Sequence, residues 1–192
     1  MLEYEKKFLL KRDEFVCLKC NPYCRGKTVR QVNFYFDTDE FDYDHKGITC
    51  RIREKNGKYE ATVKNHRTGD GDCSEEKTCD AENEKDAALF EDMGVSFQGT
   101  LITDRVTAAP VDGVKIMLDH STYLETEDFE LEIEYDPHRE CEALEILSIL
   151  ARHLNISPKD LEARQFCEGV CVPANKSHRF FSHLRELKEI RR

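Results

Sequence analysis

The chain has 192 residues, a length at which one domain spanning 1–192 is the first expectation and a sizeable core can be buried. Charged residues make up 35% against 39% hydrophobic, and 29 Lys+Arg against 39 Asp+Glu leave a formal charge of -10, which disfavours general nucleic-acid binding. No uncharged apolar run approaches the ~18 residues of a membrane helix, and the charged start Met1-Leu2-Glu3-Tyr4-Glu5-Lys6-Lys7 lacks a signal stretch, so a cytoplasmic protein with no membrane partner is expected.

Residues 2–10 alternate Leu2, Tyr4, Lys6 and Phe8 against Glu3, Glu5, Lys7 and Leu9, which reads as a strand with one strongly charged face. Residues 12–22 look helical, and 28–37, rich in β-branched and aromatic residues, read as a strand. Strands at 48–55 and 58–64 are joined by Asn56-Gly57, a strong hairpin signal. A loop at 67–72, a short strand near 73–79 and a helix from about 84 to 93 follow. Further strands are expected at 99–107, 113–119 and 128–135, with turns at 110–113 and 121–127. Helices are expected at 138–153, 158–168 and 177–190. Eight short strands interleaved with helices favour a closed or nearly closed antiparallel sheet, so the fold class is α+β.

Nine cysteines, an odd number in a reducing compartment, argue against a disulfide framework. Cys17, Cys20 and Cys24 offer half of a zinc pattern, for which Cys167 and Cys171 would have to supply the rest. The simpler reading places the three on one helical face, packed as small hydrophobes.

The strand faces carry the chemistry. Glu3, Glu5 and Lys7 share a face; so do Arg51 and Arg53, then Lys58, Glu60, Thr62 and Lys64, then Thr103 and Arg105, then Asp128, Glu130, Glu132 and Glu134. One such face is an ordinary solvated sheet surface. Several together place like charges about 6.5–7 Å apart along strands, which is repulsive unless something neutralises them. A divalent cation answers the carboxylates and a polyanion answers the Arg/Lys rows. Both are met if the sheet closes with these faces inward, giving a metal-dependent reaction on a polyphosphate chain.

Glu3-x-Glu5-x-Lys7 at the N-terminus is similar to the signature of the CYTH domain, the triphosphate tunnel metalloenzymes. In the family's order follow Gln31-x-Asn33-x-Tyr35-Phe36-Asp37-Thr38, Arg51-Ile52-Arg53-Glu54, Lys64, Arg105, Asp119, Asp128-Phe129-Glu130-Leu131-Glu132 and Lys176-Ser177. The resemblance implies an eight-stranded antiparallel β-barrel, a triphosphate tunnel, with flanking helices. It implies Mg²⁺ or Mn²⁺ held by Glu3 and Glu5 with Glu132 and Glu134, Glu130 being an alternative in register and Asp119 a polar neighbour of the metal. Lys7, Arg51, Arg53, Lys64 and Arg105 would grip the triphosphate. Lys176 would lie near the reacting end, orienting or deprotonating the attacking water, and Glu76 or Glu75 would supply a further acid.

Three functions follow from this reading. The leading one is hydrolysis of a small triphosphate, either inorganic triphosphate or a nucleoside triphosphate. A class IV adenylyl cyclase making cyclic AMP and pyrophosphate from ATP is the second, and a non-catalytic polyphosphate or nucleotide sensor the third. The partner is a small-molecule triphosphate or nucleotide, and a homodimer is left open.

Overall fold

A computed structural model describes residues 2–66, 73–165 and 175–190. Eight antiparallel strands close into a barrel in the order β1-β5-β4-β3-β2-β6-β7-β8. They are β1 (Leu2–Leu10), β2 (Lys27–Asp37), β3 (Ile48–Lys55), β4 (Lys58–His66), β5 (Cys73–Ala81), β6 (Ser96–Val111), β7 (Val114–Tyr123) and β8 (Thr126–Tyr135). The barrel closes where β1 meets β5 on one side, pairing Leu2 with Glu75 and Tyr4 with Cys73, and β8 on the other, pairing Lys7 with Glu132.

Alternation decides what is inside. The outward residues Phe8, Val106, Ile116, Leu118, Phe129, Leu131 and Ile133 are buried under α1 (Arg12–Lys19), α3 (Glu140–His153) and α4 (Pro158–Glu162). The opposite wall buries Cys50, Ile52 and Ala61 with Phe36 and Phe90, the last from a 3₁₀ turn at Ala88–Met93. With helices or turns on the outside, the charged faces turn into the barrel interior, which they share with an apolar cluster around Tyr35 and Leu101.

After the short α2 (Asp42–His45) and the three helices above, the fifth helix sets the site. α5 (Lys176–Ile190) buries Phe180 and Phe181 against Tyr35, Phe41, Leu101 and Tyr123. Its first turn is capped by Asn175, whose Oδ1 accepts from His178 N at 2.8 Å and Ser177 Oγ at 2.7 Å. Phe180 fits a notch made by Gly99 (φ +152°), where a methyl group would lie 2.7 Å from the ring's Cζ. The notch sits opposite an irregularity in the β2–β6 ladder between Tyr35 and Phe36.

Several local expectations change. The strand β7 continues to Tyr123 and β8 starts at Thr126, so 121–127 is no long turn. Leu124 and Glu125 make a two-residue hairpin with both φ positive (47° and 63°), where Asn or Gly is the usual signal. The helix at 84–93 is reduced to the 3₁₀ turn. Cys17, Cys20 and Cys24 do not share a helical face: α1 ends at Lys19, Asn21-Pro22 breaks the run, and Cys24 is buried in the next turn while Cys20 is exposed. The loop at 67–72, Cys167 and Cys171 lie outside the described residues.

Candidate active site

The barrel encloses a cavity of about 220 Å³ whose wall is almost wholly charged or polar. Its two sides differ in sign. On one, β3 and β4 present Arg51, Arg53 and Lys64, and β1 adds Lys7. On the other, β8 presents Glu132, which forms a buried trio with Asp119 of β7 and Glu130, neither of which lines the cavity; a carboxylate oxygen of each lies within 4.8 Å of the others. Asp119 and Glu130 are direct cross-strand partners, a like-charge pairing that costs energy unless a cation lies between.

Here the cation is the ammonium of Lys176. From the first position of α5, its Nζ donates to Glu130 Oε1 at 2.7 Å and to Glu132 Oε1, and forms an ion pair with Asp119 Oδ2 at 2.8 Å. Burial opposes its charge, but the three acids hold its pKa far above the ordinary lysine value. Arg105 closes the same cluster from β6, with Nε on Asp119 Oδ1 at 2.8 Å and Nη2 on Glu132 Oε2 at 2.7 Å. Arg179, one turn along α5, reaches Glu130 Oε2 at 2.6 Å and Asp128 Oδ2 at 2.7 Å. Burial pushes the carboxyl of Glu130 up, and the charge of Glu132 adds to it. Burial acts on Glu132 too, but Arg105, Lys176 and Lys7 outweigh it and keep that group ionised.

Glu5 stands between the two sides. Its Oε1 accepts from Lys7 Nζ at 2.7 Å and Lys64 Nζ at 3.0 Å. Burial raises its pKa, yet these two ammonium groups bring it down to about 2. Glu76 lines the cavity, 3.5 Å from Arg51 Nη2 and 3.7 Å from Lys64 Nζ, while Glu75 is exposed. Glu134 lies at the cavity rim and pairs with the exposed Lys115 at 2.7 Å. The side chain of Glu3 lies outside what the structure describes.

The cationic wall is under-neutralised. Among the described residues Arg51 Nε is buried with no hydrogen-bond partner. Arg53 gives its Nε to the amide oxygen of Asn33 at 2.9 Å, and among the described residues no carboxylate lies within ion-pair distance of it. Burial, then the neighbouring charges of Arg51 and Arg105, brings its pKa down to about 9. Such a wall suits an anion.

Sequence reasoning missed some of the lining. His66 faces the cavity and contacts Thr49 Oγ1 at 3.2 Å, and Thr49 in turn meets Ser177 at 2.6 Å. Its signal was there, two residues beyond Lys64 on the same face. Arg179 was readable only as a helix residue. Tyr35 both packs on Phe180, with centroids 5.0 Å apart, and lines the cavity.

Comparison with known proteins agrees with this geometry. The model of the CYTH domain matches residues 1–166. The chain belongs to the CYTH family. A Bacillus subtilis (strain 168) protein named "Putative triphosphatase YjbK" is 33% identical over an alignment of 151 residues that covers 69% of this chain and 77% of that protein. A solved Bacillus halodurans structure, named as a "putative adenylate cyclase", is similar at 27% identity and TM-score 0.68, covering 93% of this chain and 97% of that one. A Hippeastrum structure, HpAC1, described as showing a dominant triphosphatase activity, shares the fold at 20% identity and TM-score 0.63, covering 95% of each chain. Among the described residues no helix is long and apolar enough to cross a membrane.

Proposed function

We propose that this CYTH protein hydrolyses a small triphosphate, inorganic or nucleoside, as one tunnel domain that uses Mg²⁺ or Mn²⁺. The observation that carries the reading is that a cationic wall, with a buried guanidinium nitrogen that has no hydrogen-bond partner among the described residues, faces across one cavity Glu132, the member through which a buried oxygen-only carboxylate trio reaches that cavity.

The donor set fits the group: buried carboxylate oxygens are the ligands hard divalent cations take. Asp119, Glu130 and Glu132 would hold the ion, with Glu5 and Glu134 as further acids lining the cavity; Glu3 is a further ligand only by the family resemblance. When bound, the ion polarises phosphoryl oxygens and lowers the pKa of bound water. The residues of the chain do the rest. Arg51, Arg53, Lys64 and Lys7 grip the phosphate oxygens and fix the chain along β3 and β4. Their charges oppose the negative charge that spreads over the transferred phosphoryl group, in a partly enclosed site where such contacts count for more than in bulk water. Lys176 and Arg105 lie between trio and cavity and orient the reacting end. Glu76, held by Arg51 and Lys64, would accept a proton from attacking water. Glu5 keeps Lys7 and Lys64 aimed inward.

Product analysis tests the reading. Tripolyphosphate and ATP are supplied in parallel with Mg²⁺, Mn²⁺ or EDTA. Metal-dependent phosphate release without cyclic AMP is the expected result. Cyclic AMP with pyrophosphate would make it a cyclase, and tight triphosphate binding with no turnover a sensor.

A further inference from the structure

Three buried carboxylates converge on one point, and that point is taken by a side chain of the protein itself. Asp119, Glu130 and Glu132 each contact Lys176 Nζ, and they are the same three groups whose oxygens lie close enough to hold one metal ion. An ammonium and a divalent ion cannot share that volume, and like charges a few ångströms apart in a buried site repel strongly. We infer that the trio holds either Lys176 or the divalent ion, never both, so that Lys176 is an internal cation which metal must displace. The inference rests on the reading of this site as a metal-dependent triphosphatase.

The surroundings allow the exchange. Lys176 sits on the first turn of α5, a helix anchored elsewhere. Phe180 fills the Gly99 notch, Arg179 is bound to Asp128 and Glu130, and Arg185 Nη1 meets Asp44 at 2.8 Å. The lysine stem has four rotatable carbons, so its ammonium can leave while the helix stays docked. Lys176 also lines the cavity. Displaced from the trio, it swings toward the phosphate-gripping wall, so metal binding adds a cation to the substrate side. Without the exchange, the trio keeps a counter-charge and the like-charge Asp119–Glu130 pairing is tolerated in the metal-free protein.

Two measurements on the full chain test this. In the first, Mn²⁺ affinity without substrate is read by electron paramagnetic resonance for wild type and Lys176→Met. Removing the competitor should tighten Mn²⁺ about tenfold or more. Unchanged or weaker binding overturns the inference. In the second, acetylation of Lys176 in the wild type is followed by mass spectrometry as Mn²⁺ is added, which keeps the test alive if the variant folds poorly. Lys176 should be protected without metal and become reactive as Mn²⁺ saturates, with other buried lysines unchanged. Protection that persists or grows at saturating Mn²⁺ overturns the inference. Either failure, combined with Mn²⁺-dependent triphosphate turnover by the wild type, leaves the triphosphatase reading standing. Absence of Mn²⁺ binding to both proteins, with no turnover, overturns the two together.

Discussion

Arg53→Met separates binding from folding because the two should move in opposite directions. Burial and the nearby Arg51 and Arg105 bring the guanidinium to about 9, against an ordinary value of 12.5. The folded value is depressed, so at neutral pH, where both states are protonated, the charge destabilises the fold. The difference corresponds to on the order of 5 kcal/mol as a ceiling. Water in the tunnel screens part of it, and Met strands the Asn33 amide oxygen at a cost of about 1 kcal/mol. A net gain of about 1–3 kcal/mol is left, or roughly 2–10 °C in Tm for a chain of this size. The same change deletes a charge-assisted contact to phosphate, worth about 1.5–3 kcal/mol, so Kd for triphosphate should weaken about 10–150-fold. Calorimetric unfolding in phosphate-free, metal-free buffer and titration with tripolyphosphate read both numbers. A lower Tm with unchanged affinity would refute the reasoning, because Arg53 would then be a satisfied structural residue.

Glu5→Gln should abolish metal-dependent phosphate release while circular dichroism stays native, since strand pairing does not use that side chain; an unchanged rate would remove Glu5 from the metal wall. Gly99→Ala, which puts a methyl 2.7 Å from Phe180 at a φ that disfavours side chains, should cost about 1–3 kcal/mol and lower turnover by shifting α5 and Lys176. Native stability and rate would mean the notch does not position the helix. His66 has its pKa brought down to about 3 by burial and then by Lys7 and Lys64. Its folded value is depressed, so its stabilising contribution is present above pH ~6.5 and falls with pH between there and about 3, by up to ~1.4 kcal/mol per pH unit. The urea midpoint of wild type should fall more steeply than that of His66→Gln over this window, and parallel slopes would show that His66 protonates freely in the fold.

Much of the barrel was legible because a strand writes its two faces in alternate letters. Glu5 and Lys7, Arg51 and Arg53, and Glu130 and Glu132 needed only the period-two rule to be placed on one side, and closure followed from the need to neutralise them. The hairpin at Leu124-Glu125 was not legible, since its positive φ values fall on residues that carry no turn signal. The role of α5 was half legible. Lys176 was visible through the family's pattern, but its convergence with Asp119, Glu130 and Glu132 depends on Phe180 seating against Gly99, about 80 residues away in sequence, and no local pattern encodes that packing. Arg179 was hidden for the same reason. Glu76 could be separated from Glu75 only by the register of β5, in which Glu76 pairs with Lys64.

The most direct test of the tunnel as a metal–triphosphate site is a crystal structure of the full chain with Mn²⁺ and a non-hydrolysable imidotriphosphate, read by the anomalous signal of manganese. A manganese peak among Asp119, Glu130 and Glu132, with phosphate oxygens on Arg51, Arg53 and Lys64, is the predicted result. Manganese or phosphates bound outside the barrel, with the interior ion pairs unchanged, would contradict the account.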